Sequence, residues 1–141
     1  MSTRADHMYT RALQVLVALG IAVDAALAIP AVLAPESLAS ALYLPQILSF
    51  KADIWQRGFG VMQLLLASMY LPALVSPLRD RYLTAAAITS RLLLGLFWYW
   101  AVTFADYSRA YLVFAYLEGS LGLLQAALYV AVLRREHLRA R

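Results

Sequence analysis

The sequence predicts an all-α integral membrane protein: an antiparallel bundle of four transmembrane helices, with a short helix lying in the interface between the first two. Three observations predict it. Of 141 residues, 63% are hydrophobic and only 14% are charged, where a soluble domain carries roughly 25% charged residues. The apolar residues gather into four runs, 13–33, 54–75, 83–104 and 111–133, each close to the about 20 residues a helix needs to cross a bilayer core. Two of the three connections are short enough to force neighbouring helices antiparallel. Mean hydropathy is +0.69. There is no second composition regime and no internal repeat, so one domain is expected.

The first run, Leu13–Leu33, is too long for the apolar region of a typical signal peptide and is not followed by a convincing cleavage site. Pro30 lies in its last turn, where a proline kinks or ends a helix. The connection Ala34–Asp53 is the long one. Pro35 and Glu36 are suited to a helix start, with a fixed φ and an acid in the first turn. Leu38, Leu42 and Tyr43 then share a face, and Pro45 is the expected stop. This reads as a helix in the outer interface, or alternatively as a lid over the bundle mouth.

The second run, Ile54–Val75, carries Pro72 near its end and leads into Ser76–Tyr82, a turn with Pro77 and Arg79-Asp80-Arg81. The third, Leu83–Phe104, ends in Phe97-Trp98-Tyr99-Trp100, an interfacial belt or the wall of a cavity for a flat lipophilic ligand. Ala105–Ala110 then returns the chain into the fourth run, Tyr111–Leu133.

Orientation follows from the basic residues. Arg4, Arg11, Arg79, Arg81, Arg134, Arg135, Arg139 and Arg141 fall on one side; Lys51 and Arg109 fall on the other. Lysine and arginine favour the cytoplasmic side, so both termini are expected there. Tyr9, Trp55, Tyr82, Trp98, Tyr99, Trp100 and Tyr107 sit at the expected interfaces.

Composition also excludes. Without cysteine there are no disulfides, thiolate metal sites or iron–sulfur clusters. His7 and His137 lie outside every apolar run, so no axial histidine is available to a haem between helices. No zinc pattern, phosphate loop or nucleophile triad is present; Thr89 and Ser90 lack a histidine base. No cofactor and no metal are therefore expected. The net charge of +4 sits at the ends of apolar runs, as topology signals do, and does not point to nucleic acid.

Four ionisable residues fall inside the runs: Asp24, Arg57, Arg91 and Glu118. A charge at mid-membrane costs about 2.5–3.5 kcal/mol on insertion scales, so these should face inward and pair. With about 1.5 Å of rise per residue, Arg57 lies roughly 11 Å outside the bilayer centre, Glu118 about 6 Å outside, Asp24 about 1–2 Å outside and Arg91 about 4 Å inside. The four sum to zero charge. Each has a glycine three or four residues away on its own face: Gly20, Gly60, Gly95 and Gly122. Small residues permit close helix approach in membranes, so the charged faces should also be contact faces. Gln125 extends the Glu118–Gly122 face, and Gln63 and Ser90 add polarity. Such a cluster serves either as packing glue that sets helix register or as a polar ligand site. Asp24, the deepest carboxylate, is the group expected to exchange a proton.

At Arg57-Gly58-Phe59-Gly60-Val61, at Pro77-Leu78-Arg79-Asp80-Arg81-Tyr82, at Ser90-Arg91-Leu92 and at Glu118, the chain resembles small bacterial four-helix membrane proteins distantly like the DoxX-like group. The resemblance spans roughly residues 10–133. In that pattern an arginine opens the second span, a basic turn follows, an arginine lies in the third span and an acid, usually Asp, in the fourth. Asp24 has no place in it. The resemblance implies the fold and a bacterial inner-membrane setting; some DoxX-type proteins are linked to quinone-coupled sulfur oxidation or oxidant resistance with partner subunits.

The favoured functional expectation is a non-catalytic accessory or scaffold subunit. It would bind a membrane-protein partner, a second copy of itself, a lipid or a quinone through the buried charges. One alternative is a small proton-coupled transporter built on Asp24, in which Arg57 and Arg91 would repel a cationic drug. Another is an intramembrane isomerase or cyclase using Asp24 and Glu118 as acid and base, a role weakened if arginines clamp both carboxylates.

Overall fold

The computed structural model of the protein describes residues 4–44 and 50–139. The expected stop at Pro45, and the side chains of Arg4, His7, Lys51, Trp55, Arg139 and Arg141, lie outside the described residues. The described chain is helical, with no strand among the described residues. Its elements are α1 (Arg4–Leu33), α2 (Pro35–Ala41), α3 (Phe50–Met69), α4 (Leu71–Val75), α5 (Arg81–Phe104) and α6 (Leu112–Arg139), with a 3₁₀ turn at Arg109–Tyr111 before α6.

Four stretches are long and apolar enough to cross a membrane: Met8–Leu33, Gln56–Val75, Arg81–Phe104 and Arg109–Leu138. The four apolar runs are therefore found as four membrane-length helical stretches. The helices overrun their apolar cores at one end. Helix α6 continues six residues past Leu133, through Arg134, Arg135, Glu136 and His137. Those residues hold the helix in polar surroundings: Arg81 Nη2 pairs with Glu136 Oε1 at 2.7 Å, and the Arg135 guanidinium lies 4.1 Å over the Tyr9 ring.

The two intramembrane prolines act differently. Pro30 sits inside α1, which runs on to Leu33. It removes one intrahelical hydrogen bond, yet the backbone closes normally beyond it, with Ala34 N–H donating to Pro30 O at 2.8 Å. Pro72 does interrupt its helix. The chain turns at Tyr70, and Leu71-Pro72 open the separate short helix α4, where a missing N–H costs nothing because first-turn donors have no intrahelical partner.

Helix α2 starts at Pro35 as expected but ends before Pro45 by its own means. Leu44 N–H reaches back to Ala39 O at 2.8 Å, and Tyr43 N–H to Ser40 O at 3.2 Å. Tyr43 adopts φ 53°. This is the Schellman closure, here with a tyrosine where glycine is usual.

The packing is that of a chain solvated by lipid. Alanine dominates the buried apolar positions, including Ala28, Ala31, Ala67, Ala73, Ala87, Ala101 and Ala115. Large apolar side chains face outward: Val15, Leu33, Leu93 and Phe104 are all exposed. With hydrocarbon outside, nothing drives leucine inward, and small residues let backbones meet. Helix α1 packs on α3 and on α6, and α6 packs extensively on α5. Helices α3 and α5 stand apart.

Candidate functional site: a charged triad at the base of an apolar opening

Arg91 reaches the centre of the molecule from α5 and bonds two carboxylates on two other helices. Its Nη1 donates to Glu118 Oε2 on α6 at 2.7 Å, and its Nη2 donates to Asp24 Oδ2 on α1 at 2.5 Å. All three residues are 2–3% exposed. One guanidinium thus ties three helices together.

Gly20 makes this possible. A methyl group at Gly20 would stand 2.7 Å from Arg91 Nη2 and 2.8 Å from its Cζ, well inside contact distance. Gly20 lies one turn from Asp24 on α1, so the same face provides the space and the counter-charge. The other predicted glycines are also at close contacts: Gly60 against Ala28 and Val32, Gly95 against Gly119, and Gly122 against Leu92.

The estimated depths put Asp24, Glu118 and Arg91 on levels about 5 Å apart, within reach of a long arginine side chain, and the three do meet. Arg57 differs from the sequence expectation, because it is placed elsewhere. Its Nη1 donates to the Val32 carbonyl at 2.5 Å, eight residues beyond Asp24 and so about 12 Å further along α1. There it satisfies a carbonyl near the helix end, where cations are favoured. The zero-sum group of four is therefore replaced by a triad of one cation and two acids.

Gln125 is also buried but does a separate job. Its Nε2 donates to Leu16 O at 2.9 Å, joining α6 to α1 about two turns from Glu118. Gln63, 9% exposed, lies instead beside the triad.

Between α3 and α5 is a cavity of about 390 Å³. One wall is Phe59, Met62, Gln63 and Leu66 of α3 with Tyr70 at the turn after it; the α5 wall is Ser90, Leu93, Leu94 and Phe97; Asp24, Arg91 and Glu118 line it as well. The separation of α3 and α5 creates it. The two helices are bridged by side chains at both ends. Tyr70 O–H meets Ser90 Oγ, and since Ser90 Oγ–H donates to Ala87 O at 2.9 Å, tyrosine is the donor. At the other end the Phe59 ring meets Trp98 edge-on, with centroids 6.3 Å apart. Trp98 also stacks on Tyr111, with centroids 5.1 Å apart and planes within 4°. So Trp98 anchors an aromatic cluster joining α3, α5 and the start of α6, while Phe97 turns toward the cavity.

Tyr70 and Leu66 were not among the residues the sequence singled out. A signal was present: Gly60, Gln63, Ala67 and Tyr70 recur at three- and four-residue spacing, and all four are buried. In a lipid-solvated helix, a polar or small stripe marks the inward face. Among the described residues no group of three His, Cys, Asp or Glu side chains is arranged to hold a metal ion.

Searches against protein-family models, curated proteins and solved structures return no match for this chain.

Proposed function

We propose that the chain is a non-catalytic membrane subunit that holds a lipophilic small molecule in the opening between α3 and α5. On this reading the helices form an antiparallel four-helix bundle in a bacterial inner membrane, both termini are cytoplasmic, and α2 lies in the outer interface. The eight-to-two distribution of basic residues supports that orientation, and the resemblance to the DoxX-like group supports the setting.

One observation carries the reading: an apolar cavity with a few convergent polar groups, flanked by exposed Met62, Leu66, Leu93 and Phe97. Small-molecule sites are usually of this kind, mostly apolar with a few polar groups that orient the guest. A ligand arriving from the acyl chains need not cross water. The lining from Phe59 to Tyr70 and from Ser90 to Phe97 is centred on the middle of the second and third apolar runs, so the opening faces the middle of the bilayer. A lipid or quinone is the expected guest, held for a partner membrane protein or for a second copy of the chain. Nothing in the arrangement requires bond making or breaking.

The test is direct. The protein is extracted with its surrounding bilayer in polymer-bounded discs, and the lipophilic compounds carried with it are identified by mass spectrometry. A Leu66→Trp, Leu94→Trp variant, which fills the opening, is the control. The expected result is one compound class enriched in the wild type and lost in the filled variant. Identical contents in the two preparations would sink the proposal, and a partner protein captured in the same discs would identify what the guest is held for.

A further inference from the structure

On the polar side of the cavity two carboxylate oxygens are left without a donor. Arg91 directs both outer nitrogens at carboxylates. Tyr70 spends its hydroxyl proton on Ser90, and Ser90 spends its own on Ala87 O. Against this, Asp24 Oδ1 and Glu118 Oε1 are buried and find no hydrogen-bond partner among the described residues. A buried acceptor left unpaired costs free energy that a donor recovers. The charge tally points the same way. One guanidinium faces two carboxylates, so with both ionised the triad carries one negative charge in excess. Arg57 lies about two turns away along α1 at the Val32 carbonyl. Coulomb energy falls with distance, so a guest in the cavity responds chiefly to the adjacent carboxylates.

Resting on the reading of the cavity as a ligand site, we infer that its guest is a lipophilic ammonium, a primary or secondary amine. Its N–H groups complete the hydrogen bonding of Asp24 and Glu118, and its apolar body lies among Met62, Leu66, Leu94 and Phe97. With both carboxylates ionised, the ammonium supplies the missing counter-charge, and its N–H groups reach the two unpartnered oxygens. An anionic headgroup supplies neither, and a quinone carbonyl brings only acceptors. The expectation that Arg91 repels cations does not hold once its charge is outweighed by two carboxylates within hydrogen-bond distance.

Three probes sharing one carbon skeleton separate the possibilities: 4-phenylbutylamine, 4-phenylbutanol and 4-phenylbutyrate. They differ at the polar end in charge, as cation, neutral and anion. Binding is measured by calorimetry on the full chain in lipid nanodiscs, with empty nanodiscs subtracted. The amine is expected to bind at least tenfold tighter than the alcohol, and the butyrate weaker than either. In Asp24→Asn and in Glu118→Gln, each nearly isosteric, the amine-to-alcohol preference should fall below threefold while the alcohol binds as before. The wild-type ratio stands as a test even if a variant does not fold.

Equal binding of amine and alcohol would overturn the inference and leave the cavity reading standing, since apolar fit alone would then select. Preferred binding of the butyrate would overturn it in favour of recognition by Arg91. If none of the three binds, and the Leu66→Trp, Leu94→Trp variant also matches the wild type in its carried compounds, both the inference and the reading beneath it fall. If none binds but that variant does lose a carried compound, only the ammonium inference falls.

Discussion

Helix α5 faces two neighbours and treats them differently. Against α6 its backbone comes close: a methyl group at Gly95 would lie 2.8 Å from Gly119 N and 3.2 Å from Ala115 O. Against α3 it keeps a distance spanned only by side chains, Tyr70 to Ser90 and Phe59 to Trp98. The two faces lie on one helix in one solvent. The difference is residue size. Gly95, Ala115 and Gly119 allow the α5–α6 contact, whereas Met62, Leu66, Leu94 and Phe97 line the separation between α3 and α5. Where hydrocarbon surrounds the protein, helices associate by fitting surfaces rather than by escaping solvent. A poorly fitting face therefore remains an opening instead of collapsing.

The comparison is broken most severely at the triad, which belongs to both sides. Arg91→Met leaves Asp24 and Glu118 buried without their cation. Removing one partner of a buried ion pair costs about 3–5 kcal/mol, so little or no monodisperse protein is expected on gel filtration in detergent. Full yield with an unchanged thermal midpoint would show that the triad contributes nothing to the fold.

The next largest effect is expected at the close interface. Gly95→Ala drives a methyl group into the Gly119 backbone, which cannot rotate away. Overpacking of this kind costs about 1–3 kcal/mol, read as a lowered thermal midpoint. Gly119→Ala is the matched control, since nothing lies within 4 Å of its added methyl. It is expected to be neutral or slightly stabilising, because alanine favours helix over glycine. Equal losses at the two positions would mean that the asymmetry of the contact is not real.

Across the opening the effects should be smaller. Tyr70→Phe removes the donor to Ser90, at a cost of about 1 kcal/mol, and Ser90→Ala should cost a similar amount. The double variant should cost little more than either alone, because the two changes remove one interaction. Strict additivity in a thermal-denaturation cycle would mean that the two hydroxyls act separately. Smallest of all is Met62→Ala. Met62 is 64% exposed, so stability should change by less than about 0.5 kcal/mol. A large loss there would show the opening to be closed by a packed surface.

Much of the fold is legible residue by residue. The boundary at Phe104 is found where the apolar run stops. The start of α2 follows from Pro35, whose fixed φ suits a first turn. The break at Tyr70 is less legible, because Pro72 signals an end and not a short continuation into α4. The end of α2 was assigned to Pro45, yet Tyr43 closes the helix two residues earlier, in a conformation tyrosine rarely takes. In the site, Asp24, Arg91 and Glu118 are conspicuous because a charge in an apolar run has to be neutralised. Gln125 stands out as an uncharged polar group in an apolar run, but it serves a different contact. Arg57 was misplaced because a helix-end carbonyl competes for a guanidinium, and backbone carbonyls carry no mark in the sequence.

Composition and periodicity by themselves determined the helical class, the four membrane-length stretches, the small-residue contact faces and three of the buried charges, Asp24, Arg91 and Glu118. These depend on each residue's own cost of transfer from water and on spacing along one helix, and both are local properties. Only the tertiary structure decided that Arg91 serves two acids at once, that Gly20 clears its path, and that α3 and α5 stay apart. Those outcomes depend on how surfaces from separate helices fit, on side-chain reach and on competition among acceptors, which arise only once the helices stand beside one another.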